Sequence, residues 1–404
     1  MKKQLLALLG LLTLNSVAVA ADTSASSLKA KAAERNAVFK QKITDVSFFS
    51  ENCSKELAVW QKSAQEGQAI AQNLLAGCYS YGLGVTKDDA QAFAWNSKAA
   101  AQKNAAAQSG LGYAYAQGLG VTKDDALSLS WYNKAAKQGD VTAQFGLALA
   151  YVEGKGVKQD DAKAVEWYRK AAKLGYAPAQ YNLGVAYTAG KGVAKNSTQA
   201  AQWYTKSAKQ GYVTAQYNLG VAYAAGKGVA KDAKLAAEWY RKAAEQGYAL
   251  AQYNLGVAYA SGNGITKDEA QAAAWYRKAA DQGIADAQYN LGVAYLQAIG
   301  VAQDGVQAEA WTRKAAEQGH VSAQYNLGVL LFNGLGIAKN EAQAVIWFRK
   351  AADQGAAKAQ YNLAIAYEKG LGVAQDQAQA LAWYSKAAGQ DFAAAKEALK
   401  RLGK

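Results

Sequence analysis

The sequence has little of the residues that interrupt helices or carry acid–base chemistry. Its 404 residues include one proline and one histidine. Because proline breaks helix interiors, its scarcity permits helices along most of the chain. Histidine is the side chain that most readily transfers protons near neutral pH, so a single one restricts catalysis. We therefore expect a largely helical protein without a histidine-based active site.

Motifs of the common enzyme classes are also missing. The sequence has no H-E-x-x-H motif, no phosphate-binding glycine-rich loop, no G-x-S-x-G motif and no cluster of cysteines and histidines. An S-x-x-K match at Ser26–Lys29 lacks the companion motifs of penicillin-recognising enzymes. These absences predict no enzyme activity, no metal site and no cofactor.

Long hydrophobic runs are confined to the N-terminus. Lys2 and Lys3 precede an apolar run that ends near Leu14, and small residues follow up to Ala20. This is the pattern of a cleaved secretory signal peptide, and the run is too short to span a membrane. We expect cleavage between Ala20 and Ala21, with export to the periplasm of a bacterium or secretion from it.

Cysteine is scarce, and Cys53 and Cys78 are the two in the sequence. In an exported protein an even pair is available for a disulfide. If two antiparallel helices turn near Gly67, the cysteines lie nearly level, with an axial offset of roughly 4.5 Å. A disulfide accommodates Cα separations of about 4.4–6.8 Å. We predict a Cys53–Cys78 bond, with two free buried thiols as the alternative.

One repeated phrase dominates the rest of the chain. AQYNLGVAY stands at residues 179–187 and returns at residues 215, 251 and 287. Its Ala-Gln pair recurs every 36 residues, nine times in all, from Gln72 to Gln360. A fixed period of this size indicates a solenoid, in which one unit buries its apolar face only against its neighbours.

Each unit reads as two helices. In residues 215–250, apolar residues at helical spacing begin at Ala215, and Gly226 supplies the signal that ends a helix. Asp232 then begins a second helix that ends before Gly247. Six of the nine units place Asp or Asn three residues before Gln at this start. That spacing is typical of a capping box.

The repeated residues resemble those of a known family. Leu-Gly-x-x-Tyr in the first helix, Gly-x-Gly-Val in the connector and Ala-x-x-Trp-Tyr-x-Lys-Ala-Ala in the second helix are similar to the Sel-one-like repeat (SLR), a relative of the tetratricopeptide repeat. The resemblance covers residues 56–404. It implies an all-α fold, a right-handed alpha-alpha superhelical solenoid of tandem 36-residue helix-turn-helix repeats. It also implies an adaptor that binds other proteins.

The remaining segments flank the repeats. The signal peptide is expected at residues 1–20. Residues 21–50 lack the repeat and are expected to form a tether, with or without a capping helix. Residues 51–70 read as half a repeat, and residues 71–394 as nine tandem repeats. Residues 395–404 read as a C-terminal capping helix whose charged residues end the solenoid in water.

The outward face of the first helix carries the candidate binding residues. On a helical wheel Tyr217, Asn218 and Val221 lie opposite the core residues Ala215 and Leu219. First helices line a concave groove in tetratricopeptide proteins, so the resemblance implies that these columns contact a ligand. The alternative is that Tyr and Asn pack between neighbouring first helices. The proposed groove columns are Tyr181, Asn182, Tyr217, Asn218, Val221, Tyr253, Asn254, Val257, Tyr289, Asn290, Val293, Tyr325, Asn326, Tyr361 and Asn362.

Tyrosine and asparagine suit the binding of an extended peptide. Asparagine both donates and accepts hydrogen bonds, so it can hold a peptide backbone without reading its sequence. Tyrosine combines apolar area with a polar tip. Specificity would come from positions further along the first helix that vary between repeats: Ser80, Tyr81, Glu153, Leu296, Phe332, Glu368 and Lys369.

Positive charge limits the choice of partner. The chain carries a net charge of +14, which becomes +12 when Lys2 and Lys3 are removed. The cations recur with the repeat, as on a solvated surface, rather than forming a nucleic-acid stripe. We expect a monomer with no nucleic-acid partner. It would bind protein or peptide segments, acidic ones in particular, and contact with anionic glycans or the cell envelope stays open.

These features favour an exported, non-enzymatic repeat scaffold that binds peptide or protein segments in a concave groove. Two alternatives stay open. One is a hydrolase-like activity on the cell envelope, as has been suggested for some members of the resembled family. The other is a scaffold for envelope or peptidoglycan assembly, which predicts cosedimentation with peptidoglycan that weakens as salt rises.

Overall fold

The structure is a computed structural model that describes residues 45–403, and all its regular secondary structure there is helical. The predicted signal peptide, its cleavage site at Ala20–Ala21 and most of the predicted tether lie outside the described residues. The described helices are α1 (Asp45–Gln65), α2 (Ala69–Tyr81), α3 (Asp89–Ala101), α4 (Ala105–Gln117), α5 (Asp125–Lys137), α6 (Val141–Glu153), α7 (Asp161–Lys173), α8 (Ala177–Ala189), α9 (Ser197–Lys209), α10 (Val213–Ala225), α11 (Ala233–Glu245), α12 (Ala249–Ser261), α13 (Glu269–Asp281), α14 (Ala285–Gln297), α15 (Gly305–Glu317), α16 (Val321–Asn333), α17 (Glu341–Asp353), α18 (Ala357–Lys369), α19 (Gln377–Ala388) and α20 (Ala393–Arg401).

Helices α2 to α19 form nine pairs, here called repeats 1 to 9, each with a first and a second helix. The chain divides into two compact units. The first contains the described residues up to Ala179 and Lys191–Val193, and the second contains Gln180–Gly190 and the residues from Ala194 onwards. Within each unit, consecutive helices pack on one another. The chain is therefore an α-solenoid of tandem helix pairs, as predicted.

Small residues build the core of each repeat. In repeat 5, Ala215 and Leu219 of α10 have no exposed surface, and Ala222 is 7% exposed. Ala215 and Leu219 cluster with Ala208 of α9, and Ala243 and Ala244 of α11 are buried in the next cluster along the chain. The predicted core face of the first helix is thus confirmed. Such small side chains allow two helices to approach closely, which suits a thin, repetitive core.

Helix boundaries follow the predicted capping signals. Asp232, for example, accepts a hydrogen bond from the backbone N–H of Leu235 over 2.9 Å and so caps α11. An Asp or Asn caps the second helix in the same way in all nine repeats. Gly226 ends α10 in the left-handed conformation, with φ of 67°. Glycine adopts this conformation without the steric strain that a Cβ atom causes.

Among residues 45–403, three residues other than glycine adopt this left-handed conformation. Lys103, Ala298 and Asp391 stand where most other repeats have glycine, and their φ values are 63°, 57° and 61°. For residues with a Cβ atom this backbone is unfavourable by roughly 1–2 kcal/mol. The repeat geometry therefore imposes the turn even where the local residue disfavours it.

A ladder of buried glutamines joins successive repeats. Gln216, from the Ala-Gln pair, is 5% exposed, and its Nε2 donates to the carbonyl oxygen of Ala208 in the preceding repeat over 3.2 Å. Its Oε1 accepts a 2.7 Å hydrogen bond from Gln246 at the end of α11. The glutamine–glutamine bond is present in eight repeats. In repeat 3, Leu174 replaces the donor, and the buried Oε1 of Gln144 has no partner.

The second helices carry a column of tryptophans that the chain covers with its own cations. In repeat 5 the Nζ of Lys242 lies 4.1 Å from the centre of the Trp239 ring. The equivalent Lys–Trp distance is 3.7–4.1 Å in every repeat. The rings are half-buried in repeats 1 to 6 and buried in repeats 7 to 9. The lysines therefore lie over aromatic rings that are themselves packed within the repeats, and cation–π attraction stabilises the pairs.

The first helix of the described chain, α1, is joined to the repeats by the predicted disulfide. Cys53 of α1 and Cys78 of α2 are bonded, with their Cα atoms 5.8 Å apart. Both side chains are fully buried, and the described residues contain no free cysteine. Helix α1 begins at Asp45, before the half repeat expected from residue 51.

The last helix, α20, is joined to the repeats by a carboxylate. Glu368 of α18 accepts a hydrogen bond from the Tyr384 hydroxyl and another from Nη2 of Arg401, each over 2.6 Å. Its side chain is 9% exposed. Among residues 45–403, no helix combines the length and hydrophobicity that a membrane span requires.

Candidate functional site

The tyrosines of the predicted groove columns are half-buried and pack against the second helix of their own repeat. The ring of Tyr217 lies 6.0 Å from that of Tyr240 and 5.1 Å from that of Tyr248. Where Thr312 stands at the position of Tyr240, Tyr289 stacks instead on His320 at 4.8 Å. The same packing involves Tyr181, Tyr253, Tyr325 and Tyr361, with ring distances of 5.7–6.1 Å.

The asparagines of these columns bond to the tyrosines of the preceding repeat. Asn218 hydrogen-bonds the Tyr204 hydroxyl, and Asn254 does the same with Tyr240. Burial raises the pKa of Tyr240 to about 12, so this hydroxyl stays protonated at any physiological pH. Asn290 contacts Tyr276, and the Nδ2 of Asn326 lies 3.3 Å from the Tyr289 hydroxyl. Asn182 and Asn362 are half-buried.

The valines are the more exposed members of the predicted columns. Val221 and Val257 are 37% and 38% exposed, and Val293 is less so. The variable positions differ among themselves: Tyr81, Glu153 and Lys369 are exposed, and Ser80, Leu296 and Phe332 are half-buried. Glu368 is bonded within the protein to Tyr384 and Arg401, so its carboxylate is engaged before any ligand arrives.

A cleft opens on the first helices of repeats 1 to 3, in the first unit. Its volume is about 1020 Å³. It is lined mainly by residues of α2, α3, α4 and α6 and by the turns that precede α6 and α8. Ligand-binding clefts typically have volumes of about 300–1,000 Å³. The cleft is therefore large enough to hold several side chains of a peptide.

The cleft exists because these three repeats depart from the repeated phrase. Tyrosine, asparagine and valine fill the three columns of the first helix in repeats 4 to 8. Smaller or different residues take those columns in the first three repeats, namely Asn73, Ser109, Phe145, Leu74, Gly110, Gly146, Gly77, Tyr113 and Leu149. Three of these residues are glycines. Neighbouring side chains lie close to two of them, since a Cβ atom on Gly110 or Gly146 would come within 2.8 Å of Asn96 or Tyr132.

The polar groups of the cleft form a short hydrogen-bonded chain. The Ser109 hydroxyl lies 2.8 Å from that of Thr142, which donates to Oδ1 of Asp140 over 2.6 Å. Asp140 also accepts the backbone N–H of Ala143 and so caps α6. In repeats 4 and 5 the equivalent of Asp140 is a tyrosine that packs on the first-helix tyrosine. Because Asp140 is much smaller than the tyrosine found there in repeats 4 and 5, space stays open in the cleft.

Aromatic and aliphatic side chains form the walls. Tyr113 is 56% exposed, Tyr81 is 41% exposed and Leu174 is 51% exposed. The Phe145 ring lies 5.3 Å from that of Tyr176, in an edge-to-face arrangement. Exposed apolar side chains that converge on one concavity are typical of binding sites rather than of ordinary surface.

The cleft was missed by the sequence interpretation, which followed the regular repeats. The signal that could have found it was the loss of the Tyr-Asn-Val columns in repeats 1 to 3, together with leucine at position 174 where the other repeats have glutamine. In chemical terms the cleft offers apolar area and hydrogen-bonding groups. In the described part of the chain, no cluster of His, Cys, Asp and Glu could hold a metal ion.

The repeats match a known family. The Sel1 repeat matches nine consecutive segments of the chain, at residues 69–104, 105–140, 141–176, 177–212, 213–248, 249–284, 285–320, 321–355 and 357–392. A comparison with curated proteins gives no match.

Solved structures give the same picture. The chain is similar to a protective antigen with an SLR fold, present in uropathogenic Escherichia coli strains, with 38% identity, 92% of this chain and 80% of that chain covered, and a TM-score of 0.76. It is also similar to a Sel1 repeat protein from Oxalobacter formigenes, with 32% identity, coverage of 76% and 89%, and a TM-score of 0.58. The protein therefore belongs to the Sel1 repeat family, whose members generally mediate protein–protein interaction.

Proposed function

We propose that the protein is an exported, non-enzymatic scaffold that binds peptide or protein segments on the first-helix face, with its main contact in the cleft of repeats 1 to 3. The Tyr-Asn-Val columns of the later repeats would extend this contact. The positive charge of the chain outside the cleft accelerates the association of acidic partners, whereas the cleft itself, with Lys87, Asp89 and Asp140 as its charged lining residues, favours an apolar or basic part of the bound segment. A disulfide between Cys53 and Cys78 is compatible with export, because disulfides persist in oxidising compartments.

The observation that carries this proposal is the leucine at position 174. It is 51% exposed on the wall of the cleft, and it leaves the buried Oε1 of Gln144 without the hydrogen bond found in the other eight repeats. An unsatisfied buried acceptor is unfavourable by roughly 1–3 kcal/mol. Departures from a favourable local pattern concentrate at functional sites. Leu174 adds apolar area to the cleft, and binding of a partner there would offset the lost hydrogen bond.

The test uses a variant that restores the regular repeat. Ser109→Tyr with Gly110→Asn gives repeat 2 the AQYNLG phrase found in repeats 4 to 8 and fills the cleft, and it requires only that the end of the Asn96 side chain turn away from the new Cβ atom at residue 110. A peptide library displayed on phage is selected against the wild-type chain, and the affinity of the selected peptides is measured by fluorescence anisotropy. We expect at least a tenfold loss of affinity in the variant.

The matched control makes the opposite exchange in repeat 5. Tyr217→Ser with Asn218→Gly introduces the pair of residues found in repeat 2, away from the cleft. Both variants are checked for helix content and thermal unfolding. If no peptide is enriched, or if the cleft-filled variant binds as tightly as wild type, the cleft is not the main contact.

A further inference from the structure

The cleft lies beside the point where the chain enters the described structure. Phe49 of α1 lines the cleft, and its ring lies 5.6 Å from that of Tyr81, another lining residue. Helix α1 begins at Asp45, one helical turn earlier. That turn corresponds to an axial distance of roughly 6 Å. Whatever precedes Asp45 is therefore tethered next to the cleft.

The residues before Asp45 have the composition of a ligand for such a cleft. Leu28, Val38, Phe39 and Ile43 supply bulky apolar side chains. Phe39 stands six residues before Asp45, and six extended residues reach roughly 20 Å. Phe39 can therefore reach the cleft from the N-terminus of α1 without any rearrangement of the repeats.

Charge is complementary as well. Residues 21–44 carry five cations (Lys29, Lys31, Arg35, Lys40 and Lys42) and two anions (Asp22 and Glu34). The charged residues that line the cleft are Asp89, Asp140 and Lys87, so the cleft has a net charge of −1 on a chain that is positive overall. Lys87 already lies 3.5 Å from Asp89, which leaves Asp140 as the uncompensated carboxylate.

We propose that residues 28–43 of the same chain occupy the cleft in cis and compete with its partner. This inference rests on the proposed function, because it assigns an internal competitor to the same site. A short tether gives an effective concentration on the order of 1 mM. A segment with an intrinsic Kd of about 0.1 mM would then fill the cleft in about nine molecules of ten. It would lower the apparent affinity of an external peptide for the cleft about tenfold.

The first experiment detects occupancy without any external partner. The chain, produced from Ala21 onwards, carries a photoreactive benzoylphenylalanine in place of Phe39, and light and heavy isotope-labelled copies are mixed before irradiation. We expect cross-links to α2, α4 or α6 within one copy, and their loss in the S109Y/G110N variant. The same photoreactive residue in place of Ser26 is the control. Cross-links between copies, cross-links to other helices or no cross-links overturn the proposal.

The second experiment measures competition. Val38→Asp with Phe39→Asp removes two apolar side chains of the segment, and Ser26→Asp with Ser27→Asp makes the same change in charge just before the segment. We expect the first variant to bind a library-selected peptide about tenfold more tightly than wild type and the second to bind it unchanged. Equal affinity in all three chains overturns the proposal. A peptide that binds the cleft while Phe39 fails to cross-link there leaves the proposed function intact and removes only the competitor.

Discussion

Gln144 and Leu174 occupy the positions that, in each of the other eight repeats, belong to two hydrogen-bonded glutamines. Leu174→Gln should supply the missing donor to the buried Oε1 of Gln144. We expect the free energy of unfolding to rise by about 1 kcal/mol, the usual net contribution of one hydrogen bond. Urea denaturation followed by circular dichroism measures it.

The reverse change is the control for this pair. Gln246→Leu leaves the Oε1 of Gln216 without its 2.7 Å hydrogen bond and should lower the free energy of unfolding by about 1–3 kcal/mol. Leu174→Gln should also weaken peptide binding, because it removes apolar area from the cleft wall. An unchanged stability in both variants would mean that the glutamine ladder contributes nothing.

The disulfide should stabilise the N-terminal helix pair. Cys53 and Cys78 are separated by 25 residues, and closing a loop of that size stabilises a fold by roughly 3 kcal/mol in the chain-entropy account. Cys53→Ala with Cys78→Ala should therefore speed hydrogen exchange in α1 and α2. Reductant should speed hydrogen exchange in α1 and α2 of the wild-type protein in the same way. It should leave the exchange rates of the double variant unchanged. Unaltered exchange in α1 would contradict this.

Attachment of the C-terminal helix should depend on pH. Burial raises the pKa of Glu368, but hydrogen bonds from Tyr384 and Arg401 and the charge of Arg401 outweigh it, so the net pKa is lowered. A lowered folded pKa means that the ionised carboxylate stabilises the fold fully above its unfolded pKa of about 4.3. That stabilisation is lost as the pH falls through the folded value.

Hydrogen exchange of α20 between pH 6 and pH 3 measures this dependence. We expect protection of α20 to decline below about pH 4.3 in wild type. Glu368→Gln should have weaker protection at pH 6, because a charge-assisted hydrogen bond contributes about 1.5–3 kcal/mol, and it should show little further change on acidification. The same acid profile in both chains would assign the effect to another group.

The asparagine column should contribute to stability through the tyrosine of the preceding repeat. Asn254→Ala removes the hydrogen bond to the Tyr240 hydroxyl and should lower the free energy of unfolding by about 0.5–1.5 kcal/mol. Val257→Ala, one turn further along α12 and 38% exposed, is the matched control and should change stability less. If the two substitutions have equal effects, the asparagine column is not held by packing and is free to contact a ligand.

One connector is strained and can be relaxed. Ala298 adopts φ of 57° at the end of α14, where the other repeats have glycine. Ala298→Gly should raise the melting temperature, since the left-handed conformation is unfavourable for alanine by roughly 1–2 kcal/mol. Gly226→Ala, the reverse change in repeat 5, should lower it. If instead Ala298→Gly lowers the melting temperature and Gly226→Ala raises it, the greater conformational entropy that glycine gives the unfolded chain outweighs the strain of the turn.

The sequence predicted those features that are set by local geometry. Period, helix boundaries and the level positions of Cys53 and Cys78 all follow from the helical rise and from capping residues such as Asp232. The hydrogen bonds of Gln216 could not be predicted from the sequence, because its two partners lie 8 and 30 residues away at the ends of other helices. Regularity also drew attention to the Tyr and Asn columns, although the cleft arises where those columns are interrupted.

Both ends of the array are closed, by the Cys53–Cys78 bond at one and by Glu368 with Arg401 at the other. Terminal repeats of a solenoid have a single neighbour and are the usual starting points of fraying. With covalent and ionic closures in place, opening that exposes backbone to proteases has to begin at an internal repeat. The rate at which proteases cleave the protein would then be set by its weakest internal junction rather than by its ends.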